Sequence, residues 1–454
     1  MVRWIGFIGI LLMLSPAWAD GTPEDSFTFG SYGRLVVGSD LEGGGLAPVR
    51  VIAHAPRLLE TSYAELDFSY GLRVPSTETE FTTHLTLALG ESLFHFNGDF
   101  QADIAIRNLY VEAKGALGPD ITVWAGSRMY RGDDIYLLDF WPLDEQNTVG
   151  GGIQSHFGKT KIDFHAGFNR LDDGFQLQEV VVPTETFGTR DVVYMDRQRL
   201  VMSARGEHHI SLMDSLSGKG IVYSEFHHIG EGRRVDEKLL QEVLPSDTGF
   251  LFGTELGLYE PGSSNFLNLF IRFGQGLAAF DELGVPYGLN TEKTAAGAHE
   301  LVLGLSGNWE PTSEWSFMGG AYARNFVDAD PNIYDRDDVW EMGMAFRPAW
   351  HLTQHVQLVA ELNAQYLRPN GIAAESGQQD TPFVFQAAIV PTVSLGRGSF
   401  SRPHLRLIYA VTHLNSDAQR TYAPEDPLRD RSLRHFVGVG IEWWLNSSRY
   451  SGGR

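Results

Sequence analysis

The sequence predicts an all-β fold, a transmembrane antiparallel β-barrel of about 16–18 strands. Apolar and polar residues alternate along most of the chain, as expected for strands, which point successive side chains to opposite faces. Long loops rich in acidic residues, Gly and Pro alternate with short turns between these segments. No segment beyond the N-terminal region has the roughly 18 consecutive apolar residues of a membrane-spanning helix. At roughly 24 residues per strand with its connections, the chain is long enough to enclose an aqueous channel.

Composition and charge exclude several other classes of protein. The chain has 454 residues, 57 Asp and Glu against 35 Lys and Arg, and a formal net charge of -22. Such acidity disfavours a nucleic-acid partner, because binding phosphates requires a basic face. The absence of Cys excludes a disulfide scaffold and Cys-ligated metal sites. A hydrophobic content of 43% with 20% charged residues indicates an ordered chain.

The N-terminal segment has the features of an export signal. Arg3 supplies a positive charge, residues 5–14 are an apolar run, and an A-x-A cleavage motif ends at Ala19. The apolar run is too short to anchor the chain in a membrane. We therefore predict a cleaved signal peptide at 1–19, a single barrel domain at 20–445 and a C-terminal extension at 446–454.

Five segments place apolar residues on one face and polar residues on the other: Phe27–Val37, Tyr63–Tyr70, Phe81–Leu89, Lys161–Phe168 and His404–Val411. A soluble sandwich or propeller would bury the apolar face in a core. An outer-membrane barrel would turn that face to lipid and the polar face to a water-filled lumen. The polar faces combine charges of both signs with Gly and Ala, which favours the lumen.

Aromatic residues and loops support the same interpretation. Aromatic residues near segment ends are typical of the girdles at membrane interfaces: Phe27, Tyr70, Tyr110, Trp124, Tyr130 and Trp443. Three acidic segments are expected to be outer loops: Ser39–Arg57, Asp328–Asp338 and Asn415–Arg431.

The segment Val437–Trp444 is the expected last strand, which must pair with the first because a sheet in hydrocarbon has to close. Glu442 and Trp444 share one face, and the charge of Glu442 assigns that face to the lumen. Lipid contact does not explain a bulky aromatic side chain there, so Trp444 indicates a ligand.

The segment Val123–Gly152 has a specific pattern, in which W-A-G-x-R-x-Y leads into an acidic loop with D-x-x-x-x-D-F-aromatic and a Gly-rich return. In this pattern the sequence resembles the maltoporin family of sugar-specific outer-membrane porins. Shorter matches extend over the mature chain: Phe29–Arg34, Glu60–Leu66, Ser401–Arg406 and Glu442–Trp444.

The resemblance implies an 18-stranded barrel in a Gram-negative outer membrane, which forms a homotrimer and has its third loop folded inward as a constriction. It implies facilitated diffusion of oligosaccharides, maltodextrin-like or related sugars, without a cofactor, along an aromatic slide flanked by polar tracks. The slide candidates that it implies are Tyr32, Tyr63, Trp141, Trp444 and Phe266. The track candidates are Arg34, Glu65, Arg107, Arg131, Asp134 and Asp139. Each aromatic candidate could instead be a girdle or trimer-contact residue, and each charged candidate an ordinary solvated lumen charge.

The chain departs from the family pattern at several positions. A constriction arginine of the family falls on Gly132, next to Arg131, which would take its place. A late tryptophan falls on Val339, with Trp340 on the opposite, lipid-side parity, so one aromatic contact of the slide would be missing. The family's Cys pair is also absent, and ten residues follow Trp444.

Other functions remain as alternatives. These are a general or anion-selective porin and, from another class, a secreted β-rich binding protein or an outer-membrane hydrolase. Adjacent His pairs at 208–209 and 227–228 would face opposite sides of a strand, which disfavours a shared metal. The segment from Asp328 begins like a calcium loop but has Ile333 and Val339 where Gly and Glu are required, so we expect at most a loosely held Ca²⁺ there.

Overall fold

A computed structural model describes residues 24–446, except 47, 76, 78, 91–97, 99–102, 236–240, 282 and 333. The predicted signal peptide and the extension from 447 onward lie outside the described residues. In the described part, eighteen strands form one antiparallel sheet that closes on itself, which confirms the predicted barrel.

Strands are numbered in chain order. The barrel consists of β1 (Glu24–Ser39), β2 (Tyr63–Arg73), β3 (Glu80–Gly90), β4 (Asp103–Lys114), β5 (Ile121–Arg131), β6 (Glu145–Phe157), β7 (Thr160–Asn169), β10 (Arg199–Met213), β11 (Leu216–Ile229), β14 (Asp247–Tyr259), β15 (Phe266–Gly276), β16 (His299–Thr312), β17 (Trp315–Val327), β18 (Val339–His351), β19 (Val356–Pro369), β20 (Phe383–Ser394), β21 (His404–Leu414) and β22 (Leu433–Leu445). Two hairpins project from connections, β8 (Leu177–Pro183) with β9 (Thr189–Asp196) and β12 (Gly232–Val235) with β13 (Gln241–Leu244).

Helical structure is confined to short turns in the described residues. These are 3-10 turns at Tyr136–Leu138 and Leu277–Ala279 and the helix α1 (Ser416–Gln419). None of the described helices is long and apolar enough to cross a membrane.

The sheet closes through its first strand. β1 pairs with β2 on one side and with β22 on the other, and Tyr32 lies opposite Glu65 and Trp444 in these two pairings. Closure gives backbone partners to both edges of the sheet, which hydrocarbon requires.

Each barrel wall has opposite chemistry on its two faces, as β15 shows. Asn268, Phe270 and Arg272 are buried in the interior, whereas Leu267 and Phe273 are exposed on the outer wall. A soluble protein would hide the apolar face, so this arrangement identifies a wall built to face lipid.

Three of the residues predicted to lie in the aromatic girdle do not lie there. Phe27 and Tyr70 are exposed on the outer wall, but Tyr110, Trp124 and Tyr130 are buried inside the barrel. On β5, Trp124 and Tyr130 share the parity of Arg128, and the charged side chain places that face in the lumen.

The two ends of the barrel differ in their connections. Nine connections are long, at 40–62, 91–102, 132–144, 170–198, 230–246, 277–298, 328–338, 370–382 and 415–432. The eight connections at the opposite end are short, at 74–79, 115–120, 158–159, 214–215, 260–265, 313–314, 352–355 and 395–403. Outer-membrane barrels have long outer loops and short periplasmic turns, so the first end is the outer one.

The loop 132–144 folds into the barrel, as predicted for the constriction loop. Ile135, Leu137, Leu138 and Phe140 are all buried, and Ile135 packs where Gly304 and Gly320 leave room on the facing wall. Small residues on that wall therefore fix the depth to which the loop enters.

The loop 40–62 also enters the lumen, which corrects the prediction of Ser39–Arg57 as an outer loop. Its His54 ring stacks on Phe140 at 3.9 Å, and the amide of Ala53 donates a hydrogen bond to Glu341 Oε2 at 3.2 Å. The second half of this loop is apolar, and folding inward buries Ile52, Ala55 and Leu58. Two loops therefore narrow the channel.

Candidate functional site

Arg57, from the inward part of loop 40–62, occupies the centre of the constriction. Its guanidinium donates to the Tyr32 hydroxyl and lies 3.4 Å from Glu60, 3.5 Å from Asp139 and 3.9 Å from Glu442. Arg57 therefore joins both inward loops to the barrel wall. The sequence analysis did not select Arg57, because a loop has no parity that assigns a side chain to the lumen.

The predicted aromatic and charged residues of β1 and β2 form one cluster. The Tyr32 and Tyr63 ring centroids are 6.2 Å apart, and the Arg34 guanidinium lies 5.3 Å from the Tyr63 ring. The Tyr63 hydroxyl donates to Glu65 at 2.6 Å, and Arg107 of β4 pairs with Glu65. All five predicted residues face the lumen, and for Tyr32, Arg34, Tyr63 and Glu65 this agrees with the parity of their strands.

Trp444 belongs to a second aromatic group nearer the short-turn end. The Trp444 ring centroid is 5.8 Å from Tyr136 and 6.1 Å from Phe400, and Phe400 is 6.3 Å from Phe266. The Arg402 guanidinium lies 4.3 Å from the Trp444 ring. Tyr136 and Phe400 were missed because both lie in connections, where the alternation of strands gives no signal.

Tyr136 connects the two aromatic groups. Its ring lies 4.6 Å from the Arg57 guanidinium, which in turn donates to the Tyr32 hydroxyl. Its hydroxyl donates to Glu442 at 2.7 Å and accepts from Arg402 at 2.7 Å. These side chains form a file from the short-turn end of the barrel to the constriction, which we call the aromatic path. In order, its members are Phe266, Phe400, Trp444, Tyr136, Tyr32 and Tyr63.

Charge pairs flank the aromatic path. Glu442 forms a salt bridge with Arg402 at 2.9 Å and another with Arg406. Arg347 of β18 pairs with Glu361 of β19 at 2.6 Å. Charged partners joined in this way hold their donors and acceptors in fixed positions beside the rings.

Trp141 lies at the end of the constriction loop, apart from the aromatic path. It is buried, and the Arg131 guanidinium stacks over its ring at 3.7 Å. Arg131 also pairs with Glu145. A side chain at position 132 would overlap the carboxylate of Asp144, which explains the Gly at the position of the family's arginine.

A side cavity of about 180 Å³ opens beside Trp141. Its lining includes Arg128, Arg131, Lys161 and Arg205. Three of these cations pair with carboxylates, whereas the Arg128 guanidinium lies over the rings of Tyr110, Trp124 and Tyr130 at 4.8, 5.0 and 5.3 Å.

The two predicted acidic residues of the constriction loop differ in charge state. Burial would raise the pKa of Asp139, but the guanidinium groups of Arg57 and Arg34 hold that pKa below its usual range. Burial raises the pKa of Asp134 to about 7, since Arg57 offsets only part of the desolvation and Asp139 adds repulsion. Near neutral pH, therefore, Asp134 is the group of this pair that changes its charge.

At position 339, where the family has a tryptophan, Val339 and Trp340 lie on the faces that their parity predicts. Trp340 is 41% exposed on the outer wall, and Val339 packs against the buried cluster beneath the outer loops. The aromatic path has no member from β18, and Phe400 instead lies between Phe266 and Trp444.

The His pairs each have carboxylate partners. His209 Nε2 lies 2.8 Å from Glu207, and His227 Nε2 lies 2.6 Å from Glu225. Across the described ranges, the group of acidic or imidazole side chains close enough to share a metal ion lies elsewhere, at Asp328, Asp335 and Asp338.

Comparisons with known proteins agree with this architecture. The model of the LamB porin family matches residues 27–444. The maltoporin of Vibrio cholerae serotype O1 (strain ATCC 39315 / El Tor Inaba N16961) is 22% identical over 437 residues, which cover 92% of this chain and 95% of the relative. The maltoporin of Hahella chejuensis (strain KCTC 2396) is 32% identical over 121 residues, or 24% of this chain and 29% of the relative.

Among solved structures, Acinetobacter baumannii OccAB1 covers 93% of this chain and 96% of its own, with a TM-score of 0.45 and 9% identity. The family match extends from β1 to β22. The chain therefore belongs to the LamB porin family, whose members are channels of the Gram-negative outer membrane and not enzymes.

Proposed function

We propose that this outer-membrane sugar porin passes linear oligosaccharides by facilitated diffusion along the aromatic path, without a cofactor or a covalent step. The observation that supports this most directly is the file of lumenal rings, in which four neighbouring pairs have centroids 5.8–6.3 Å apart and charge pairs flank the rings.

The chemistry of the path fits a sugar chain on both of its surfaces. The C–H face of a pyranose ring packs on aromatic rings, and its hydroxyl groups are both donors and acceptors. Among the charged candidates, the Arg34 side chain is 17% exposed and can donate, and the Asp139 side chain is 33% exposed and can accept. Several modest contacts in series can hold the chain and still release it, as passage requires.

The test is block of ion conductance in planar bilayers by a panel of sugars, from glucose through linear glucose oligomers to sucrose. A path of several rings predicts that block strengthens as the oligomer lengthens, because longer chains cover more rings. Conductance that is unaffected by every sugar of the panel would contradict the proposal.

A second candidate is passage of anionic solutes, which the side cavity supports. Among the described residues no carboxylate pairs with Arg128, so its guanidinium is available to an anion in the lumen. Reversal potentials in a salt gradient separate the two candidates. Strong anion preference without sugar block would favour the second.

We also propose that the protein assembles as a homotrimer, as the resemblance implies. Migration on a denaturing gel before and after heating tests this. A band at trimer mass that converts to monomer on heating is expected, and a monomer band without heating would count against a stable trimer.

A further inference from the structure

A compact group of carboxylates lies in the outer loop 328–338, away from the aromatic path. One oxygen from each of Asp328, Asp335 and Asp338 lies within 4.8 Å of the others. Asp328 and Asp338 are buried, with 4% and 2% of their surfaces exposed. Burying two like charges beside a third is unfavourable unless hydrogen bonds, protonation or a cation compensates them.

One buried oxygen in this group has no hydrogen-bond partner. Asp328 Oδ1 accepts from the amide of Asp330 at 2.8 Å, but Asp328 Oδ2 is buried without a donor. The Oδ2 atom lies against Gly288 of the loop 277–298, where any Cβ would overlap it. A buried carboxylate oxygen without a donor, on a side chain that meets two other carboxylates, is an arrangement that a cation would satisfy.

The backbone around the group is held in place by three loops. The amide of Asp328 donates to Asp338 Oδ1 at 2.9 Å, and the amide of Ala329 donates to the Gly288 carbonyl at 2.9 Å. The amide of Asn370 donates to the Asp338 carbonyl at 2.9 Å. The group therefore lies where the loops 277–298, 328–338 and 370–382 meet.

Local cations do not neutralise the group. Arg336, in the same loop, lies 3.6 Å from Asp380, and no salt bridge reaches Asp328, Asp335 or Asp338 in the described part of the chain.

We propose that Asp328, Asp335 and Asp338 of the loop 328–338 bind one Ca²⁺ ion at the place where three outer loops meet. Ca²⁺ binds carboxylate oxygens at 2.3–2.6 Å, so two oxygens that share it can be up to about 5.2 Å apart. The three oxygens here lie within 4.8 Å of one another, which is compatible with a shared Ca²⁺. Ca²⁺ also accepts irregular oxygen ligation, whereas Mg²⁺ demands near-ideal octahedral geometry. These ligands are spaced differently from those of an EF-hand loop, so the site does not require Gly at position 333 or Glu at position 339.

The test uses the purified full-length protein in detergent, treated with a chelator and titrated with Tb³⁺, whose luminescence aromatic residues sensitise. Tyr334, exposed in the same loop, is a suitable donor. We expect saturable emission that Ca²⁺ displaces at a concentration at least tenfold below that needed for Mg²⁺. Emission that Ca²⁺ does not displace, or displacement by Mg²⁺ at equal concentration, would overturn the assignment.

Two variants in the same loop distinguish binding at these three carboxylates from general attraction of the ion to an acidic surface. Asp338→Asn should weaken Tb³⁺ binding at least tenfold, whereas Asp337→Asn removes the same charge from an exposed neighbour and should have little effect. Equal losses in both variants would show that only diffuse charge attracts the ion. If Asp338→Asn fails to fold, Asp335→Asn at the half-exposed ligand replaces it, with the same expected loss. The outcome does not depend on which solute the channel passes.

Discussion

Trp444 and Trp340 make a natural comparison at the scale of single residues, because they lie on opposite faces of the barrel wall. Trp444 packs among lumenal rings, and Trp340 is exposed on the outer wall. Trp444→Ala should weaken sugar block about five- to tenfold, the loss expected for about 1–1.4 kcal/mol of stacking, and leave ion conductance equal or larger. Titration of the block in bilayers measures the effect.

Trp340→Ala is the control for that experiment, since it removes the same side chain from the lipid face. Block by sugar should stay unchanged in this variant. If both variants weakened block equally, Trp444 would act through barrel stability and not through contact with the sugar.

Trp141 gives a separate prediction, because it lies beside the side cavity and not on the aromatic path. Trp141→Ala should weaken sugar block if the sugar passes the end of the constriction loop, and conductance should remain similar or increase. An unchanged block would remove Trp141 from the sugar-binding residues.

Asp134 predicts a pH dependence of ion selectivity. With a pKa of about 7, its carboxyl is charged at higher pH and neutral at lower pH, so acidification removes a negative charge from the constriction. Cation preference should therefore fall between about pH 8.5 and pH 5.5. Reversal potentials in a KCl gradient measure this, and Asp134→Asn should show a smaller change over the same range. A variant that follows the wild-type curve would exclude Asp134 as the titrating group.

At the scale of elements, one of two adjacent glycines of β17 determines how the constriction loop packs. A Cβ at Gly320 would lie 2.4 Å from Ile135 Cγ2, whereas a Cβ at Gly319 would meet Phe346 at an ordinary 3.7 Å. Gly320→Ala should displace the loop, raise single-channel conductance and cost about 1–3 kcal/mol of packing energy.

Gly319→Ala is the matched control and should leave conductance unchanged. Single-channel recording compares the two variants. Equal conductance in the Gly320 variant and the wild type would show that the loop does not depend on this contact.

The sequence predicts the strands of this protein better than its loops, for a physical reason. In a strand, parity assigns each side chain to a face, which correctly placed Tyr32, Glu65 and Trp340. Loops carry no such periodicity. The lumenal positions of Arg57 and Phe400 therefore follow from their tertiary contacts and not from the sequence pattern. The girdle assignments were wrong for Tyr110, Trp124 and Tyr130. They relied on the position of a residue near a segment end, which does not determine the face to which its side chain points.

At the scale of the whole molecule, β22 provides backbone hydrogen-bond partners for two neighbouring strands. It pairs with β21 and with β1 along most of its length. A chain ending at residue 436 would leave both neighbours with unpaired backbone groups in hydrocarbon, each costing several kcal/mol. We expect such a chain to lose the heat-modifiable form on gels, and retention of that form would contradict the role of β22 in closure.

The pairing of β1 with β22 also constrains the order of events by which the protein is made. Trp443 donates a hydrogen bond to Ser31 at 3.0 Å across 412 residues of sequence. The strand that completes the sheet is thus the last to be synthesised, and contacts of such long range form slowly. Until it arrives, the earlier strands present open, apolar edges that invite aggregation. The export route must therefore keep the whole chain unfolded in the periplasm and release it to the membrane only when its final strand is available.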